Sequence, residues 1–340
     1  MANISISTTP SDALFQSVTT FSKIFRAYCE PAFCLIALLG NVGILFGMAR
    51  VEHGFIKSVR LYYSVLALSE LVLVDGYYFV GNWFEVGLSY IVSGSDYAPV
   101  LTIDAFDWSC KLITALWVTS DTESDLVLVF LSVERVIAIT WPLRAKSILS
   151  LRFSVIFMSI VSAIVVAIFL PLLLLVYEIV PGVGCSYNFS LPYAQAYVIL
   201  EEMLPVVPTS ISFALSVYLV VKIASLMRAR RHLTGGATKV SAREMSNVFT
   251  VLILDFTHAI SYIPFISIYM YAFVNNQLNG DNSFPMVLYQ VMDICDIFVM
   301  MLHSITFFIY FFRSGDFRIA VIGKRLACVG ESKPLSSTSH

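Results

Sequence analysis

Residues 110–142 read CKLITALWVTSDTESDLVLVFLSVERVIAITWP, and this stretch decides the fold. It is apolar over most of its length, starts at Cys110, and is interrupted by no proline or glycine before Pro142. A helix needs about 20 mostly apolar residues to cross the hydrocarbon core of a bilayer, and this segment exceeds that. Asp121 and Asp125 lie in its middle, and Glu134-Arg135 closes its far end. Carboxylates at membrane depth are costly unless they face a protein interior or a watery cavity, which makes them functional candidates by default. Alone, Glu134-Arg135 reads as an ordinary pair of juxtamembrane charges.

Working outward, six further segments pass the same test. With the first, the seven lie near 27–51, 59–87, 108–141, 152–178, 194–227, 245–274 and 285–312. The chain is 58% hydrophobic and 13% charged, with mean hydropathy +0.82. A soluble domain carries about 25% charged residues, so this chain has too little polar surface for a water-soluble globule of its size. The segments are apolar on nearly all faces, unlike the one-sided helices of a soluble bundle. The expected fold is all-α, a seven-transmembrane helix bundle followed by a short amphipathic eighth helix over Arg313 to Leu326. The expected parts are an extracellular tail at 1–26, the seven-helix bundle at 27–313, and an amphipathic helix with a cytoplasmic tail at 314–340.

Charge orients the bundle. With the N-terminus outside, the inner stretches 50–60, 135–152, 222–243 and 313–340 hold 18 of the 21 basic residues, leaving only Lys23, Arg26 and Lys111. That is a strong positive-inside bias. Residues 1–25 are polar, rich in Ser and Thr, and lack the basic start and apolar core of a cleavable signal peptide. They read as a flexible tail carrying the sequon Asn3-Ile4-Ser5, and Asn188-Phe189-Ser190 is a second sequon on the same side. Cys110 and Cys185 both fall on that oxidising side, where a disulfide would pin the loop before the fifth helix over the bundle mouth. Two unpaired thiols are the alternative. Cys328, beyond the amphipathic helix, is a palmitoylation candidate or a plain cytosolic thiol. The Ser/Thr-rich end holds candidate phosphorylation sites, and no His/Cys cluster suggests a metal site.

The motifs together resemble the rhodopsin-like G-protein-coupled receptors. Arg135 stands 25 residues after Cys110, and Trp141-Pro142 follows it. Gly40-Asn41-Val42 resembles the GNxx motif of the first helix. LALSE at 66–70 resembles LAxxD of the second, with Glu70 for Asp. Ser261-Tyr262-Ile263-Pro264 resembles CWxP of the sixth, and Thr306 to Tyr310 occupies the NPxxY slot of the seventh. The fourth helix lacks its usual Trp, and the seventh lacks the Asn and Pro of NPxxY. Its run HSITFFIYFF at 303–312 resembles many invertebrate neuropeptide receptors, notably FMRFamide-like ones.

The resemblance implies roles. Arg135 would hold the resting state through Glu134 and, across the bundle, Glu244, and would be freed to contact a heterotrimeric G protein when the sixth helix swings outward. Pro264 would kink that helix, and Tyr310 would swing inward. Glu70, Ser124, His303 and Thr306 match positions of the sodium pocket only in part, and a protonated Glu70 is an equal alternative. Trp117, Asp121, Glu201, Tyr262 and Asp296 would line the ligand cavity, with Asp293 one turn from Asp296 on the seventh helix. An acidic cavity of this kind suits a cationic ligand, foremost the basic end of a peptide amide. Acids hydrogen-bonded between helices are the alternative. Trp117 occupies the place of the amine-binding Asp of monoamine receptors, although Asp121, one turn deeper, leaves a small amine open. Asp125 and His258 replace an apolar connector and would form either a hydrogen-bonded switch or two unrelated polar groups.

Rival readings fare worse. The seventh helix has no lysine for a retinal Schiff base, there is no inverted repeat of a transporter or channel, and no HExxH or Ser-His-Asp setting of an enzyme appears. A chemosensory receptor for small molecules remains the alternative within the same class. The basic loop at 227–245 suits lipid head groups as well as a G protein. Expected partners are a G protein, an extracellular peptide or small amine, membrane lipids and arrestin, with neither nucleic acid nor cofactor. The expected location is the plasma membrane.

Overall fold

The apolar segments fold as helices because, in a bilayer, only a helix satisfies every backbone N–H and C=O within the segment. A computed structural model of the chain describes residues 10–50, 57–94, 106–180, 184–188, 191–204, 206–234, 242–278, 286–313 and 315–322. Glu30–Arg50 forms the first span and Lys57–Val92 the second. Asp107–Thr140 is the third and Leu151–Val176 the fourth. Ala194–Met203 and Val206–Thr234 together make the fifth, Ala242–Leu278 the sixth and Met286–Arg313 the seventh. Six of these are long and apolar enough to cross a membrane on hydropathy. The third is long enough but carries the acids noted above, and it sits at the centre, touching the second, fourth, fifth and sixth spans. Its charges therefore face protein. The seventh span closes the ring by packing on the sixth and the first.

What faces outward separates a membrane bundle from a soluble one. Leu39, Leu175, Val221, Ile260 and Phe312 are all more than 60% exposed. Such a belt would be an aggregation surface in water and is ordinary against lipid. On the fourth span only 20% of the most apolar window is buried. Inside, the largest apolar cluster gathers Ile44, Tyr63, Leu66, Leu131, Leu254, Tyr310 and Phe317 from six elements near the Arg135 end.

Four local features shape the two ends. The second span is π-helical from Val72 to Gly87, a wide-turn stretch that sets Tyr77 against Trp117 and Tyr78 against the seventh span. Cys110 is disulfide-bonded to Cys185 with Cα atoms 5.5 Å apart. Cys185 lies on the strand Gly184–Tyr187, antiparallel to Tyr177–Val180, with Ile179 opposite Cys185. The hairpin is thus fastened to the start of the third span. At the other end, the helix Gly315–Ile322 docks through Phe317 into a notch at Gly47, where an added Cβ would lie 2.6 Å from the Phe317 ring.

The fourth feature corrects the reading of the N-terminus as a flexible tail. Pro10–Tyr28 is a helix packed against the second and seventh spans. Its last turn is held by Trp83, whose indole N–H donates to the Ala27 carbonyl at 3.2 Å. Gly87 admits the Arg26 carbonyl, which would stand 2.8 Å from a Cβ at that position. The apolar residues Phe21, Ile24 and Phe25 mark the helical period here, but their segment is too short and too interrupted to read as a span. Residue 3 and Cys328 lie outside the described residues, and nothing follows here about the sequon or the palmitoylation site they mark.

Candidate functional site

Polar side chains inside an apolar bundle must find partners within it. On the third span Asp121, Asp125, Ser132 and Arg135 fall at spacings of four, seven and three, which places them on one helical face. The sixth span runs antiparallel to it and presents Tyr262, His258 and Asp255 at spacings of four and three. The two stripes meet as rungs. Tyr262 donates its hydroxyl to Asp121, and His258 Nε2 is hydrogen-bonded to Asp125 Oδ1. Ser132 donates to Asp255 at 2.5 Å. Asp255 also accepts from Ser212 at 2.6 Å and from Ser216, both on the fifth span. The pairing of Asp125 with His258 is therefore formed, and the alternative of two unrelated polar residues is set aside.

Above the uppermost rung opens a cavity lined by Tyr78, Trp117, Asp121, Glu201, Tyr262 and Asp296 among others. The five residues placed in a cavity from sequence position thus share one. Their acids are not bare. Glu201 accepts the Tyr177 hydroxyl at 3.0 and 3.1 Å, tying the hairpin to the fifth span. Asp296 accepts the Tyr78 hydroxyl at 2.8 Å and the Arg26 guanidinium at 3.1 Å. Asp296 thus lines the cavity and is also bonded between helices, because the N-terminal helix brings a cation to it. Trp117 stacks on Tyr77 with ring centroids 4.7 Å apart. The side chains of Asp293 and Glu244 lie outside the described residues, so their expected roles stay open.

Below the cavity a second, smaller space is lined by Glu70, His258, Ser261, His303 and Thr306 among others. Thr306 donates to Glu70 at 3.1 Å, and His303 Nδ1 stands 3.6 Å from the same carboxylate oxygen. The His258 and His303 rings meet edge to face at 5.5 Å. Polar groups therefore run from the cavity to the middle of the bundle with few apolar interruptions. Ser124 is fully buried nearby. Asn41 is buried, and among the described residues its amide meets no hydrogen-bonding partner.

At the far end, Glu134 accepts the Ser58 hydroxyl at 2.6 Å, which links the third span to the start of the second. Arg135 is buried beside it and lies within electrostatic reach of Glu134 and Tyr63. Tyr310 packs edge to face on Tyr63 at 4.5 Å. Pro264 sits inside the unbroken helix Ala242–Leu278, one turn above Ser261 and nearly two above His258.

The sequence reading missed five participants. Asp255 was detectable, since it is an acid inside an apolar span and falls under the same rule that singled out Asp125. Arg26 was visible as one of three basic residues on the wrong side of the charge bias, but its partner was not. Ser132, Ser212 and Ser216 gave no signal, because a lone serine in a helix usually bonds its own backbone.

A family model of seven-transmembrane receptors of the rhodopsin family matches residues 86–310. No curated protein matches the chain at a significant level. The matched region holds the third to the seventh spans, the disulfide, Glu134-Arg135 and Tyr310, in the order and geometry described above. The chain belongs to the rhodopsin family of seven-transmembrane receptors.

Proposed function

We propose that this receptor sits in the plasma membrane with its N-terminus and disulfide outside and transmits the binding of a cationic ligand to a heterotrimeric G protein. The ligand class is the basic end of an amidated peptide, as the FMRFamide-like pattern of the seventh span suggests. The observation that carries this reading is the cavity itself. Three carboxylates from three spans, Asp121, Glu201 and Asp296, converge on one space together with Trp117 and Tyr262. Carboxylates in a pocket shielded from bulk water attract a cation far more strongly than at a surface. The basic end of such a ligand would enter the cavity, and the rest would lie over the hairpin and the N-terminal helix. The burial of Asp121 among the lining residues favours a second reading, a small amine or environmental molecule wholly inside the cavity.

Within this proposal the bundle at 27–313 is the receptor, and 314–340 is the amphipathic helix and tail that meet lipid and arrestin. Glu134, Arg135, Glu244 and Tyr310 serve as the switch at the G-protein face. Asn3 and Asn188 are glycan acceptors, and Cys328 is a lipid anchor. The test is a screen of expressing cells against amidated peptides, biogenic amines and odorants, reading calcium and cyclic AMP. Arg135→Ala is the control. A response to a basic peptide that disappears in Asp121→Asn and in Arg135→Ala, at unchanged surface expression, is the expected result. A full response in Asp121→Asn and Asp296→Asn alike would sink the acidic-cavity reading. Responses confined to small molecules would move the ligand to the second class.

A further inference from the structure

We infer that Asp296 and Tyr78 form a guanidinium subsite, filled in the resting receptor by the protein's own Arg26, and that an arginine-bearing ligand acts by exchanging with that side chain. The inference rests on the receptor reading above and names the chemical class its cavity accepts.

Arg26 reaches two carboxylates from two different helices. Its Nη2 lies 3.1 Å from Asp296 Oδ2 on the seventh span, and its Nη1 lies 3.6 Å from Glu30 Oε2 at the head of the first. The Tyr78 hydroxyl holds the other oxygen of Asp296 at 2.8 Å. A guanidinium spreads its charge over a planar fork of donors and so bridges two acids, whereas an ammonium is a compact point charge that serves one well. The chemistry the subsite accepts is therefore displayed by its occupant.

The same geometry says why departure requires replacement. The Glu30 side chain is 1% exposed, while that of Asp296 is 23% exposed and lines the cavity. Removing one member of a buried charge pair costs far more than the pair contributes, because the other charge is left in low dielectric. Arg26 thus stays until another cation arrives from the cavity side, where Asp296 is reached first. An incoming fork can meet Asp296 and Glu30 together, whereas a simple amine meets one of them. On exchange the last turn of the Pro10–Tyr28 helix gives up its ion pair with Asp296 on the seventh span, while Trp83 and the Gly87 contact still hold it to the second. The link between the N-terminal helix and the seventh span is thereby weakened, which is how a ligand event at Asp296 reaches the bundle.

Chemical rescue tests this on the full-length receptor in detergent. Arg26→Ala opens the space that the guanidinium fills, and N-ethylguanidinium is the probe. The expected result is a fall in Tm for Arg26→Ala that millimolar N-ethylguanidinium reverses by about 3 °C, as binding to the folded state requires. Wild type and the Arg26→Ala, Asp296→Asn double variant should show no such gain, and ethylammonium should give less than half of it. Equal gains in the single and double variants, or equal gains from the two probes, would overturn the inference. Should Arg26→Ala not be recovered from the membrane, Arg26→Ser opens the same space and carries the same comparison. In cells, either variant should raise ligand-independent signalling at least threefold per surface receptor, and an unchanged basal level would refute the exchange. Rescue in a receptor that couples to nothing would leave the subsite standing and remove the receptor reading. Peptide signalling without rescue would do the reverse.

Discussion

Asp255→Ala should raise ligand-independent signalling, by an amount the geometry brackets. Asp255 accepts hydroxyls from Ser132 on the third span and from Ser212 and Ser216 on the fifth. Interhelical hydrogen bonds in membrane proteins average about 0.6 kcal/mol each, because the separated helices find other partners. If the sixth span moves away from the third alone, only the Ser132 bond is broken, and its loss shifts the resting-to-active equilibrium roughly threefold. If the sixth moves away from both neighbours, all three bonds are broken, for about 1.8 kcal/mol and roughly a twenty-fold shift. The assay is basal G-protein activation per surface receptor in Asp255→Ala, Ser132→Ala and the Ser212→Ala, Ser216→Ala pair. Equality of Ser132→Ala with Asp255→Ala would show that the fifth and sixth spans travel together. Asp255→Ala at normal surface expression with unchanged basal activity would refute the reasoning, since the rung would then carry no preference for the resting state.

Other perturbations test separate parts. The variants Asp125→Ala and His258→Ala should be non-additive in a double-mutant cycle on basal activity, with about 0.5–1.5 kcal/mol of coupling, because they share one hydrogen bond; independent effects would dismiss the pair as a unit. Gly47→Ala places a methyl 2.6 Å from the Phe317 ring and 2.9 Å from Val321. It should cost about 1–3 kcal/mol and lower the Tm of the purified receptor, with faster hydrogen exchange in Gly315–Ile322. Cys185→Ser releases a loop closed over 75 residues. It should destabilise the receptor by about 2–4 kcal/mol, read as thermal inactivation in detergent. Tyr177→Phe removes the hydroxyl on Glu201 and should loosen the hairpin while sparing the disulfide, seen as faster exchange over 177–187.

The rungs between the third and sixth spans join the two readings of this receptor. Asp121 and Tyr262 line the cavity, Asp125 and His258 lie one turn below, and Asp255 with its serines lies one turn below that. A ligand that draws Asp121 away from Tyr262 weakens the top rung of a ladder whose lowest member is three residues from Arg135. Hydrogen bonds require alignment of donor and acceptor as well as proximity, so a polar ladder adds a directional demand on how the two spans sit that apolar packing does not.

Much of this was legible in the sequence, for a definite reason. Span length, hydropathy and the Lys/Arg asymmetry are set by the bilayer, which acts on each segment independently, so they can be read segment by segment. The third span could be placed from its Cys110 and Arg135 ends, and helical periodicity alone put Asp121 and Asp125 on one face. The identity of what meets that face is not local information. Asp255 was one acid among several, and only the antiparallel docking of the sixth span set it beside Ser132. The N-terminal helix shows the same limit more strongly. Its sequence is too polar to be a span, its helicity depends on the surface that Trp83 and Gly87 offer, and the pairing of Arg26 with Asp296 joins residues 270 apart. Sequence determined which charges the membrane would not tolerate unpaired; the tertiary structure alone decided their partners, because pairing depends on the rotation and register of helices that no single helix encodes.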